Sequence, residues 1–349
     1  MGTFAFIVHP RETGDITRVF PIARYLPGWL VERAAVRIPP FKLPGITGIE
    51  SHAGAEGFSI AVPLTFRQIN RLPGSIIAGR IVQAVRLAEK LGAGVIGLGG
   101  LALAAERAGF NPGGFKIAVT SGISYTIATA MEALGEAAEL MGHDLKKSNF
   151  VVLGASGTVE RVCAMMLSAK VSRMTLVGKE ERKLEELAEK ILFHRGLSAR
   201  ISLDIKSALP SAGIVIFGPE AGVVGPEHLS PGAVACILAG TGLSGSELAE
   251  ARDDVLVVEG GLVSVPGNIQ GMISAPLAEA VLMALEGVRG DPEGFGVSIE
   301  KVKKTASMAA KHGFRTAGIK GCKGVITGED VERVKYNAGK KGSGSAAIP

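Results

Sequence analysis

The stretch from Asn149 to Val258 alternates short apolar runs with helical patterns, and this alternation constrains the chain more than any other feature. Asn149–Leu153 reads as a strand, followed by the turn Gly154-Ala155-Ser156-Gly157 and a helix from Thr158 to Ala169. Met174–Val177 is the next strand, ahead of a charged helix over 180–193 and a short strand near 200–203. Ile214–Phe217, Ala233–Leu238 and Val255–Val258 supply further strands. Parallel strands need a crossover, usually a helix, so this order of elements predicts a parallel sheet built from βαβ units.

The turn after the first of these strands has a chemical reading. Glycines there let backbone approach a pyrophosphate, and the following helix offers its free N–H groups and positive dipole end. VVLGASGTVERV supplies strand, Gly154, Gly157 and helix in that order, so Gly154, Ala155, Ser156, Gly157, Thr158 and Val159 are the expected phosphate contacts. The spacing is G-x-x-G, and Glu160 stands where a third small residue is usual. A carboxylate on the first helical turn suits the dipole and is expected to point outward. At the tip of the next strand, Gly178-Lys179 with Arg182 behind it presents base rather than acid, which favours NADP(H) over NAD(H). Glu259-Gly260-Gly261 closes the last strand, and its glycines, Gly260 and Gly261, allow close approach of a cofactor. Asn268 and Gln270 follow as candidates for a carboxamide or substrate.

The expected fold is α/β: a Rossmann-type doubly wound parallel sheet domain plus an N-terminal α/β domain, joined by long helices. The boundaries read as 1–125, completed by helices over 286–320, then 126–285, then a basic, flexible tail over 320–349. Helical spacing of apolar residues over Ser75–Leu91 and about 123–142 marks the long helices.

Composition excludes several classes. At 349 residues and 47% hydrophobic the chain is not disordered, and 3 cysteines cannot make a disulfide framework. No Cys-x-x-Cys pair or histidine spacing suggests a metal. Mean hydropathy is +0.32, yet the longest uncharged stretches are cut by glycine and proline, so no membrane span and a cytoplasmic location are expected. The net charge of +5 is uneven. Lys301, Lys303, Lys304, Lys311, Arg315, Lys320, Lys323, Arg333, Lys335, Lys340 and Lys341 stand against Glu329, Asp330 and Glu332. That segment is either a solvated surface or a dock for an acidic partner, and it lacks the stacking aromatics of a nucleic-acid reader.

Leu98-Gly99-Gly100, Thr120-Ser121-Gly122, the strand–loop–helix over 149–169, Glu259-Gly260-Gly261-Leu262-Val263, Ala278-Glu279-Ala280 and Ser298-Ile299-Glu300-Lys301 running to Lys311-His312-Gly313-Phe314 occur in a distinctive order. Together they resemble the long-chain acyl-[acyl carrier protein] reductases and the "predicted amino acid dehydrogenases" grouped with them, over about residues 4–315. The resemblance implies an NADPH-dependent reductase in which an acyl chain passes through an enzyme cysteine. It also implies a small-molecule or acyl substrate, an acidic acyl carrier protein as partner for the basic segment, and room for a homo-oligomer.

This chain departs from that family at the nucleophile, where Ser274-Ala275-Pro276-Leu277 holds no cysteine. Hydride transfer to a carbonyl without an acyl-enzyme is the expectation that remains. Tyr125 and Ser124, in the turn the resemblance places beside the cleft, and His9, at the end of the first strand, are the catalytic candidates. Tyr125 and His9 each have a structural alternative, a packed side chain for the tyrosine and a structural role for the histidine. Ser274 reads as a helix N-cap, Cys163 and Cys236 as core packing, and Cys322 as a surface thiol. The competing expectation is a Rossmann scaffold that has lost its chemistry and serves as a cofactor sensor or docking module.

Overall fold

The computed structural model describes residues 2–43, 54–221, 224–238, 245–266, 271–290 and 296–344. The chain forms two compact units: Met1–Tyr125 with Ser264–Gly296 and Lys304–Arg315, and Thr126–Val263 with Val297–Lys303 and Thr316–Pro349.

The first unit is built on a five-stranded sheet of β1 (Gly2–Val8), β2 (Phe41–Lys42), β3 (Ala55–Ala61), β4 (Val95–Gly97) and β5 (Ala118–Thr120). The spatial order is β2-β3-β1-β4-β5, parallel except for the antiparallel edge strand β2. The helix Gly74–Lys90 turns Ile77, Ile81, Ala84, Val85 and Ala88 inward, the stripe its spacing predicts. They join Ala5, Ile7, Ile60 and Ile96 in one core.

The helix Ala275–Leu285 also belongs to this unit, not to the nucleotide-type domain in which the 126–285 boundary had placed it. It packs on β1 and β4 with Ala278, Ala280, Val281 and Leu282 buried. Glycines allow that approach: a Cβ at Gly2 would lie 2.0 Å from the Ala284 carbonyl oxygen, and one at Gly97 3.1 Å from the Ala280 Cβ.

The second unit carries β6 (Phe150–Leu153), β7 (Met174–Val177), β8 (Arg200–Ser202), β9 (Ile214–Phe217), β10 (Val234–Ile237) and β11 (Leu256–Val258). They form a six-stranded sheet ordered β11-β10-β9-β6-β7-β8, with every neighbouring pair parallel. Numbered within the sheet this is 6-5-4-1-2-3, the doubly wound Rossmann order. The chain reverses its direction of winding between β6 and β9, and that switch point is where such sheets bind ligands. The strands β6, β7, β9 and β10 are buried throughout, as expected of strands covered on both faces.

Residues 315–344 are not a loose tail. Arg315–Gly321 and Gly324–Val325 form an antiparallel hairpin, and Gly328–Gly344 is a helix. Lys341 anchors that helix through Asp253 and the fully buried Asp254, each at 2.9 Å. Arg252 holds the Asp254 carboxylate from the other side at 2.7 and 2.8 Å.

Candidate functional site

The glycine turn is built as its sequence predicts. Gly154 takes φ of +80°, a conformation that glycine adopts without strain, and its carbonyl accepts the Gly157 N–H at 2.8 Å. Gly157 is the N-cap of the helix Thr158–Leu167 and has no side chain with which to satisfy the first-turn N–H groups. The turn lies at the β6/β9 switch point.

Glu160 reverses the expectation set for it. It is 1% exposed and folds back into the turn instead of pointing to solvent. A Cβ at Gly157 would fall 2.4 Å from its Oε2, and one at Gly218, just after β9, 2.2 Å from its Oε1. The carboxylate occupies the space these glycines leave open. Its Oε1 accepts the backbone N–H of Glu220 at 2.7 Å, tying the helix after β6 to the loop after β9. The Cγ of Glu220 lies 2.8 Å from the same position beside Gly157. Two acidic side chains therefore stand beside Gly157.

The other residues expected at a nucleotide edge lie as follows. The Ser156 hydroxyl oxygen accepts the Glu180 N–H at 3.3 Å, joining the turn to the tip of β7. Lys179 is exposed at that tip. Arg182 pairs with Glu186 at 3.3 Å and Lys183 with Glu180 at 2.8 Å. Gly261 has a packing role, since a Cβ there would sit 2.7 Å from the Thr316 Cγ2 and 2.9 Å from the Thr129 Cβ. Gly260 takes φ of +100°. Glu259 accepts from Lys320 Nζ at 3.1 Å. Asn268 and Gln270 lie outside the described residues.

In the first unit the ends of the parallel strands gather a second set of groups. His9 follows β1 and Gly99-Gly100 follows β4, the two strands at which that sheet reverses its winding. A Cβ at Gly100 would lie 2.6 Å from His9 Nε2, so imidazole and glycine are in contact distance of each other. Burial holds the His9 pKa below its ordinary 6.5, against the raising effect of the Pro10 carbonyl, and Arg11 adds to the lowering. At neutral pH the ring is uncharged and keeps one donor and one acceptor nitrogen. Beside it is a cavity of about 180 Å³ lined by His9, Asp15 and apolar side chains including Ile16, Val19, Phe20 and Phe41.

Tyr125 and Ser124 are both buried. The Tyr125 backbone N–H donates to Glu279 Oε2 at 2.6 Å, and the Thr120 hydroxyl donates to Glu279 Oε1. Glu279 thus holds the Thr120-Ser121-Gly122 turn at the start of the helix Ile123–Leu140. Sequence reasoning named Glu279 only within a motif. The signal was an acid in the otherwise apolar helix APLAEAVLMAL.

Ser274 stands at the N-cap of that helix, but its side chain makes no capping bond. Cys163 and Cys236 are buried, and burial pushes the Cys236 thiol up to about 12. The Cys163 thiol is raised well above its ordinary range by burial first, then by Cys236 and Glu160. Neither is available as a thiolate. Of the basic segment, Lys311, Lys320, Arg333, Lys335 and Lys341 pair with carboxylates of this chain, leaving less charge for an acidic partner. No group of histidine, cysteine or acidic residues among those described could hold a metal ion. No described helix is long and apolar enough to cross a membrane.

No family model matches the chain. It is 25% identical over 256 residues to the aminotransferase PigE of a Serratia strain, a match covering 68% of this chain and 30% of that protein. The chain thus spans under a third of that curated relative's length. Among solved structures it is similar to L-tryptophan dehydrogenase from Nostoc punctiforme, with 11% identity, a TM-score of 0.37 and coverage of 97% of this chain and 88% of that one. It is also similar to shikimate 5-dehydrogenase from Listeria monocytogenes, at 12% identity and TM-score 0.34, covering 88% and 96% of the two chains. Quinate dehydrogenase from Corynebacterium glutamicum gives 12% and 0.35, covering 87% and 98%. The fold assignment itself rests on the chain's own strand order.

Proposed function

We propose that this chain is a nicotinamide-dependent oxidoreductase whose dinucleotide site is closed by Glu160 in the form described. The observation that carries the reading is the 6-5-4-1-2-3 parallel sheet with a glycine turn and an uncapped helix N-terminus at its switch point. The residues fit the cofactor unevenly. Gly154, Ala155, Ser156, Gly157 and the first-turn N–H groups of Thr158 and Val159 suit a pyrophosphate, and the exposed Lys179 favours NADP(H) over NAD(H). Glu160 does not suit it, because its carboxylate and the phosphates compete for one turn. Binding requires that carboxylate to swing out or take up a proton.

When bound, the nicotinamide would supply the hydride. What this chain adds is a neutral His9, able to donate or accept a hydrogen bond at the first sheet's switch point, and a small apolar cavity beside it. Within the first unit that pairing suits a small carbonyl compound with an apolar body, and it favours His9 over the buried Tyr125 and Ser124 as the hydrogen-bonding group toward it. An acyl-enzyme through cysteine has no support in the thiols described.

A second reading follows from Glu160 itself: a scaffold in which the carboxylate is a permanent part of the turn. Calorimetric titration with NADPH and NADH separates the two, run on the wild type, Glu160→Gly and Gly157→Asp. Binding near micromolar to the wild type, about −8 kcal/mol, lost in Gly157→Asp, supports the oxidoreductase. Binding only in Glu160→Gly supports the closed scaffold, and binding in neither removes the nicotinamide reading.

A further inference from the structure

We propose that the exposed run Val19–Trp29 seats the protein on an anionic lipid surface. The run lies between a short helix, Thr13–Val19, and the helix Gly28–Ala35, which bury Ile16, Val31 and Ala35 in a small cluster of their own. Only Ala23 of the run packs on that cluster. Ile22 and Tyr25, on the short helical turn Pro21–Tyr25, are 82% and 75% exposed, and Trp29, at the start of the next helix, is 63% exposed. Leu26 is exposed with them. These include the chain's single tryptophan and one of its 3 tyrosines.

Charge complementarity identifies the occupant. From Thr17 to Val31 the run carries Arg18 and Arg24 and no acid; Arg18 pairs with Asp15 at 3.1 Å, so Arg24 is the cation of the run itself. The Arg24 guanidinium lies over the Tyr25 ring at 4.7 Å, and its Nη2 donates to the Tyr25 hydroxyl at 2.6 Å. Arg33 and Arg37, just beyond, have no acidic partner among the described residues.

The backbone of the run is turned rather than extended, with Ala23 N–H donating to Phe20, Leu26 to Ala23 and Leu30 to Pro27. It therefore presents no free edge for strand addition by a partner protein. What remains is apolar bodies, interfacial aromatics and arginines. This is the chemistry that enters the headgroup boundary of an anionic bilayer without crossing it.

The test uses the full chain and two vesicle types, phosphatidylcholine alone and phosphatidylcholine mixed with phosphatidylglycerol. The anionic vesicles are expected to shift the Trp29 emission to the blue and to carry the protein in flotation. Added salt should reverse both. Arg24→Gln should weaken partitioning about fivefold, and Trp29→Ala with Ile22→Ser should abolish flotation while far-UV circular dichroism is unchanged. Absence of flotation with anionic vesicles overturns the proposal. A blue shift that follows protein concentration without lipid, with sedimentation as a dimer, also overturns it and assigns the face to a second copy of the chain.

Discussion

Glu160 Oε1 accepts the backbone N–H of Glu220 at 2.7 Å, across the point at which the second sheet reverses its winding. This bond sets structural stability against ligand access at one carboxylate. Glu160→Gln keeps an acceptor for Glu220 and removes the charge, so stability should change little while dinucleotide affinity rises. Glu160→Ala leaves the Glu220 N–H without that acceptor and should cost about 1–3 kcal/mol. Urea denaturation and dinucleotide titration of the two variants check both outcomes.

The contrast between this turn and its surroundings shows what sequence could convey. The strands β6, β7, β9 and β10 were legible because burial on both faces demands unbroken apolar runs, and glycine marks the turn that a backbone approach needs. Glu160 was not legible. An acid in the first turn of a helix normally serves the dipole from solvent, and only the hollow completed beside Gly154 and Gly157 by Gly218, which is distant in sequence, draws it inward. The helix Gly328–Gly344 was missed for a similar reason. Its lysines read as solvated until Lys341 meets the buried Asp254, a partner 87 residues away.

Asp254 should govern acid sensitivity in the second unit. Hydrogen bonds from Arg252, then Lys341, hold its carboxyl at about 2, below the ordinary 3.8. A depressed carboxylate stabilises the fold above its unfolded pKa, and the gain is lost as pH falls through the folded value. About 2 kcal/mol should therefore disappear between roughly pH 4 and pH 2. Asp254→Asn should flatten that part of the stability profile. Arg252→Ala, which leaves a buried charge with only Lys341, should cost about 3–5 kcal/mol at neutral pH.

His9 should titrate below 6.5, because burial disfavours its charged form. Its contribution to stability is full above 6.5 and declines as pH falls toward the lowered value. Proton NMR of the ring gives the midpoint directly. Gly100→Ala places a Cβ 2.6 Å from the present position of His9 Nε2 and should push the ring toward solvent, moving the midpoint back up. A wild-type midpoint at or above 6.5 would contradict the buried placement.

Thiol labelling should distinguish the cysteines without mutation. Cys322 is partly exposed, whereas Cys163 and Cys236 are buried with raised pKa values. Ellman's reagent should titrate one thiol in the native protein and all 3 in denaturant. Fast native reaction of a second thiol would reopen a cysteine mechanism.

The helix Ala275–Leu285 covers β1 and β4, although β4 ends at Gly97. During synthesis the ribosome adds the whole second sheet before that cover exists, a delay of roughly ten to forty seconds at ~5–20 residues per second. Through that interval the first sheet lacks the apolar cover of Ala278, Ala280, Val281 and Leu282. Apolar surface exposed in that way is what holding chaperones bind. A truncation ending anywhere between the two segments would keep that surface uncovered permanently.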